Sequence, residues 1–219
     1  MLVKQETSAR EVDRASTELV ELIGLASEAM GRATEAVFAP DASLGAGLNS
    51  AYRAVDALRR EVDSHATETL AVRRRSAEPM LVPATIAAVH INAEAEVIGQ
   101  LAREVADIAR TRRCWPSVPE TVREALREVS GICLVMMGKA ADVVESRGAA
   151  GIAELAACDA SADRAQRVLY RRLLSRDCPI DADAAVDLTL VARCYERFAW
   201  HAMAVGRRAL LLDVDTATT

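Results

Sequence analysis

Residues 137–144 read Met-Gly-Lys-Ala-Ala-Asp-Val-Val, and residues 30–37 read Met-Gly-Arg-Ala-Thr-Glu-Ala-Val. The two segments stand 107 positions apart (137 against 30), and the same offset sets Asp163 against Asp56. Further on, Glu196 in Glu-Arg-Phe-Ala-Trp-His-Ala stands 100 positions after Glu96 in Glu-Val-Ile-Gly-Gln-Leu-Ala. The difference between the offsets is about two helical turns, a natural size for an indel near a helix end. A repeat of roughly 100 residues is far longer than a solenoid unit. It predicts two copies of one small helical domain, with a pseudo-symmetric site where the copies meet.

Working outward from these segments, apolar residues recur with helical spacing. The first predicted helix covers about 9–38, with Ala15, Leu19, Leu22, Ala26, Ala29, Ala33 and Ala36 on one face, and Pro40-Asp41 ends it. The second runs from about 43 or 48 to 74, and the third from about 79–83 to 112. Trp115-Pro116-Ser117-Val118-Pro119 then breaks the pattern, the clearest boundary between the copies. The fourth helix covers 119–146, with a stripe of Val122, Leu126, Val129, Cys133, Met136, Ala140 and Val143. The fifth covers about 149–176. The sixth starts after Asp181 and carries a heptad seam from Ala184 through Leu188, Val191, Tyr195, Phe198, Ala202, Val205 and Ala209 to Leu212. The reading is all-α: two tandem pseudo-symmetric three-helix bundles of six long helices, spanning 9–113 and 117–213. Each helix is about 40–45 Å long, and short loops make successive helices antiparallel neighbours.

Composition narrows the function. Apolar residues make up 51% of the 219, enough for a core, while aromatics make up only 3%. That balance favours helices packed through small side chains over a sheet. A net charge of −5 and a pI near 5.4 argue against a general nucleic-acid binder. The basic runs Arg73–Arg75 and Arg171-Arg172 read as solvated helix ends. Five scattered cysteines without a C-x-x-C fit reduced thiols in the cytoplasm. The longest uncharged apolar run, 80–93, is too short to span a bilayer, so membrane association would come through partners only.

The chemistry, if any, lies on the outer faces. With Tyr195 and Phe198 in the seam, Glu196 and Trp200 share an outer face one turn apart, as do Glu96 and Gln100. Asp159 and Asp163 on the fifth helix have the same spacing and could add carboxylates across a bundle face. Carboxylates gathered in this way suit hard cations. Asp56 and Asp63 are weaker counterparts in the first copy, where Tyr52 matches Asp159. The bland reading of these acids is solvated helix residues, some paired with arginine. Trp200 reads as a contact residue if exposed and as packing if the other bundle covers it, and the second is the expectation. His201 flanks that half-site, His65 is expected on a helix surface, and His90 is expected to be partly buried. No H-E-x-x-H, E-x-x-H, P-loop, G-x-S-x-G or G-x-G-x-x-G occurs.

At these residues the chain resembles the PhoU family, regulators of phosphate uptake and phosphate sensing. The resemblance rests on Met30-Gly31-Arg32-Ala33, Met137-Gly138-Lys139-Ala140, the Asp159/Asp163 spacing and the Glu196-Arg197-Phe198-Ala199 segment, and it covers about residues 10–213. It implies two three-helix bundles and a non-catalytic adaptor. The partners it implies are a phosphate ABC transporter ATPase and a sensor histidine kinase, with a homodimer as a further option. It also implies surface metal clusters, carried here by Glu96, Glu196, Asp159 and Asp163. The last acid of each motif is replaced, by Gln100 and Trp200, so only weakly bound divalent or iron cations are expected. Trp200, His201 and Arg197 are the residues expected to meet a partner. Two other readings stay open: a metal-binding helical bundle serving as enzyme or metal store, and a helical scaffold unrelated to phosphate.

Overall fold

The computed structural model describes residues 2–38, 42–73, 82–111, 118–176 and 178–212. Six helices carry them: α1 (Leu2–Phe38), α2 (Ala42–Arg73), α3 (Val82–Thr111), α4 (Glu120–Ser146), α5 (Ala150–Leu173) and α6 (Ala182–Ala209). A short 3-10 turn, Leu210–Leu212, follows α6, and no strand occurs among the described residues. The expected breaks at Pro40-Asp41 and Trp115–Ser117, and Cys114, lie outside the described residues.

The helix ends follow from local chemistry. The Asp181 carboxylate accepts the Ala184 N–H at 2.7 Å and caps α6. Asp183 in the first turn, with Arg207 and Arg208 in the last, complements the helix dipole. Arg147 ends α4 in the left-handed region (φ 53°), its N–H donating to the Val143 carbonyl at 2.8 Å. That conformation costs a non-glycine residue about 1–2 kcal/mol, and Gly148 sits one position too late to take it over. α5 stops at Leu173, short of the expected Arg176. The Leu174 N–H closes on the Tyr170 carbonyl, and a turn carries the chain toward Pro179.

The predicted seams of α4 and α6 are buried throughout, from Val122 to Val143 and from Ala184 to Leu212. On α1, Leu19, Leu22, Ala26, Ala29 and Ala33 are buried, while Ala15 and Ala36 are half-buried. α1, α2 and α3 pack on one another as one triplet, and α4, α5 and α6 as the other. The triplets meet through two pairs, α1 against α4 and α3 against α6. Four helices therefore form a central body with α2 and α5 on its flanks, and one apolar core runs through both triplets. Alanine supplies much of that core, which lets the backbones approach closely.

α3 and α6 are antiparallel. Glu94 meets His201 and Arg208, whereas Glu104, ten residues on, meets Arg197 at 3.5 Å and Cys194 at 3.6 Å. Glu94 is the notable member. It is 7% exposed, at a stripe position shared with Ala87, Ile91, Ile98 and Leu101. A carboxylate there is not anticipated by a reading that places the acids on outer faces. Its three-and-four spacing from Ile91 and Ile98 is the signal that marks it.

Candidate functional site

α5 and α6 frame a groove of about 460 Å³. Asp159 and Asp163 enter it from α5, and Glu196, Trp200 and Arg207 from α6, over a floor that includes Tyr195 and Cys133. The i, i+4 spacing puts each pair on one face, and the packing of α5 on α6 brings the two faces together. Three of the four expected metal ligands thus share one groove. Glu96 lies apart, on α3.

The acids of the groove are not tightly held. Glu196 pairs with Arg193 at 2.5 Å along its own helix, and Asp163 lies 3.6 Å from Arg167. Exposed pairs of this kind contribute at most about 1 kcal/mol. Asp159 is half-buried. Burial holds its carboxyl above the ordinary aspartate range, the neighbouring Asp163 charge adds to the shift, and Arg207 opposes it. The groove therefore sets three carboxylates against the guanidiniums of Arg207 and Arg208, the second of which also pairs with Glu94. That chemistry suits a weakly held cation or a basic partner segment.

The first copy is different. Arg59 lies 2.9 Å from Glu96 and 3.6 Å from Asp63. Arg103 lies 3.1 Å from Asp56, and its guanidinium sits 4.7 Å over the Tyr52 ring. Burial pushes the Tyr52 phenol up to about 12, against the pull of Arg103. By the repeat register, Arg59 stands where the second copy has Gln166, and Arg103 where it has Met203. Two guanidiniums thus occupy the space a cation would need, so the residues of the α2–α3 face do not fit a metal. Asp159, Asp163 and Glu196 share the α5–α6 groove, but their carboxylate oxygens do not all lie within 4.8 Å of one another.

The residues around Trp200 divide sharply. Trp200 is 62% exposed, which corrects the expectation that the other bundle covers it. The stripe of α6 that meets α3 is Cys194, Arg197, His201 and Arg208. Trp200 lies one residue before His201, about 100° around the helix, and so points away from α3. His201 faces inward, its ring paired with Glu94 and in edge contact with the Trp200 indole at 4.8 Å. Arg197 reaches Glu104. His90 is exposed where partial burial was expected, because Ile91, not His90, lies on the buried stripe. His65 is half-buried rather than on the open surface, because it turns toward Glu18 of α1.

Two of the described cysteines are held as thiols by burial. Cys133 and Cys194 are buried thiols, each pushed up to about 12 by burial, and Cys158 and Cys178 are unbridged. No helix among the described residues is long and apolar enough to cross a membrane.

Comparison with known proteins agrees with this architecture. A family model described as the PhoU domain matches residues 126–209, within the second triplet. The "Phosphate-specific transport system accessory protein PhoU homolog 2" of Mycobacterium tuberculosis is 32% identical over 200 residues, covering 91% of this chain and 93% of that protein. The homolog 1 protein of Mycobacterium leprae is 31% identical over 91% of this chain and 89% of its own length. The crystal structure of PhoU from Pseudomonas aeruginosa superposes with a TM-score of 0.80 at 20% identity, covering 93% of this chain and 97% of that one. Over nearly its whole length, by sequence and by fold, this chain belongs to the PhoU family.

Proposed function

We propose that the protein is a cytoplasmic, non-catalytic regulator of phosphate uptake and of phosphate-responsive two-component signalling. In this reading it bridges a phosphate ABC transporter ATPase and a sensor histidine kinase, and reaches the membrane only through them. The single observation that carries the reading is the exposed Trp200 beside the acidic α5–α6 groove. A large exposed aromatic beside carboxylates held only by exposed ion pairs suits a docking surface. The names of the mycobacterial relatives, accessory proteins of phosphate-specific transport, supply the biological setting. Any cation in the groove serves this surface as a loosely held bridge, in keeping with Trp200 at the place of the motif's last acid.

Deletion of the gene, followed by a phosphate-starvation reporter, tests the reading. Expression switched on in phosphate-replete cells is the expected result; a reporter that stays off would reject it. Affinity capture from cells in high and low phosphate tests the partners, and recovery of neither a histidine kinase nor a transporter ATPase would count against the adaptor.

A further inference from the structure

Glu61 and His65 stand four apart on α2, so their side chains leave one face of the helix. Glu18 reaches them from α1. One ligand atom of each of these three residues lies within 4.8 Å of the others, the one such trio of His, Cys, Asp or Glu among the described residues. We propose that Glu18, Glu61 and His65 bind a single divalent transition metal of the zinc class, at a site separate from the acidic groove.

Four observations support the assignment. First, the trio is not an acidic cluster alone: one imidazole with two carboxylates is a borderline donor set that suits Zn²⁺ or Co²⁺ better than Mg²⁺ or Ca²⁺. Bonds of about 2.1 Å in a tetrahedral site set ligands about 3.4 Å apart, a closure of little more than 1 Å that rotamer adjustment of the exposed Glu61 supplies. Second, a cation already bridges part of the site. The Arg14 Nε donates to Glu18 Oε1 at 2.8 Å, and its Nη2 lies 2.5 Å from His65 Nε2. Arg14 is 61% exposed, so its guanidinium can swing into solvent when a metal takes the place. Third, the imidazole is oriented. His65 Nδ1 lies 3.0 Å from Glu18 Oε2, close to the spacing of two ligands on one metal, and the tautomer with its proton on Nε2 leaves the Nδ1 lone pair facing that oxygen. The side chains of Glu18 and His65 are 15% and 27% exposed, which limits competition from water.

Fourth, the site has its own place and no twin. Glu61 is about 140° around α2 from Asp56 and faces α1 rather than α3. In the second copy the matching positions hold Ala125, Val168 and Arg172. Arg172 there donates to the Thr121 carbonyl of α4, the same helix-to-helix tie made without a metal. The metal would clamp α1 to α2, the flank helix of the first triplet. This inference goes beyond the adaptor reading and stands or falls without it.

The test is Zn²⁺ titration of the full chain after chelator treatment, by calorimetry, with Co²⁺ absorption as a second readout. One equivalent is expected to bind with ligand-field bands of a low-coordinate nitrogen–oxygen site. His65→Ala removes a direct ligand and is expected to weaken it by at least the roughly tenfold loss typical of a supporting residue. Arg14→Ala is expected to tighten it by removing the competing cation. Asp159→Asn with Asp163→Asn is expected to leave it unchanged, separating this site from the groove. Circular dichroism of His65→Ala checks that the helices persist. Absence of Zn²⁺ binding, or equal affinity in folded His65→Ala, would overturn the proposal.

Discussion

The Tyr195 hydroxyl lies 2.6 Å from the Thr34 hydroxyl, 161 residues away, in a place closed to solvent. Thr34 donates its own proton to the Met30 carbonyl at 2.8 Å, so Tyr195 is the donor to Thr34. The bond ties α6 of the second triplet to α1 of the first, one turn from Met30 of the repeated segment. Tyr195→Phe leaves Thr34 with a partner and is expected to cost about 1 kcal/mol. Thr34→Val takes one of two hydrogen-bond partners from a buried phenol, leaving Ser130, and is expected to cost more, about 1–3 kcal/mol. Urea unfolding of both variants checks the order; the reverse order would refute this donor assignment.

Glu94 is the second tie between the triplets, and the more exacting one. It is a buried carboxylate whose two partners, the His201 imidazole and the Arg208 guanidinium, come from the other copy. Removing Arg208 strands much of that charge. Arg208→Ala is expected to destabilise by about 2 kcal/mol, below the full cost of breaking a buried pair because Arg208 is 31% exposed. Arg208→Ala combined with Glu94→Leu should recover most of that loss. A double-mutant cycle by chemical denaturation measures it.

Glycine substitutions should split by position. A Cβ at Gly31 or Gly138, inside the repeated Met-Gly segments, meets nothing within 4 Å. Alanine at either site is expected to stabilise by about 0.5–1 kcal/mol through helix propensity. At Gly206 a Cβ falls 2.5 Å from Cδ2 of Leu155, a fully buried side chain with little room to retreat. Gly206→Ala is expected to lose about 1 kcal/mol or more, overpacking outweighing propensity. Thermal melts of the three variants decide the matter.

The Asp159 carboxyl gives a pH signature. Burial, then Asp163, raises it above the unfolded value, so the native chain holds this proton more tightly than the unfolded chain. The group's contribution is most favourable in acid and is lost as pH rises from the ordinary aspartate range through the raised value. Asp159→Asn is therefore expected to stabilise at neutral pH, with the gain vanishing in acid. Equal urea midpoint shifts at both would contradict the charge account.

The two half-sites should respond differently to restored acids. Trp200→Asp adds a carboxylate one turn from Glu196, beside Asp159 and Asp163, and is expected to raise divalent-cation affinity. Gln100→Asp alone is expected to do nothing, because Arg59 and Arg103 already sit on Glu96 and Asp56. Metal content after dialysis distinguishes the variants, and equal gains in both would show that the arginines do not block.

Much of this architecture is legible in the sequence. The seams of α4 and α6 could be read residue by residue, because period and burial are the same fact seen twice. The 107-residue offset located the paired faces, and Asp159, Asp163 and Glu196 do share a groove. What could not be read is which long side chain reaches which acid. Arg59 and Arg103 reach theirs across α2–α3, at separations set by how the helices pack and not by spacing within either helix. Trp200 failed for a related reason: the α3–α6 contact follows Cys194, Arg197, His201 and Arg208, and a shift of one residue decides between cover and exposure.

The guanidiniums lodged against Glu96 and Asp56 have a consequence for valency. A doubled backbone offers two equivalent berths, yet one is plugged by the chain's own cations and the other stands open beside Trp200. The molecule therefore has a front and a back. A neighbour drawn to the open berth would find it once per chain and in one orientation.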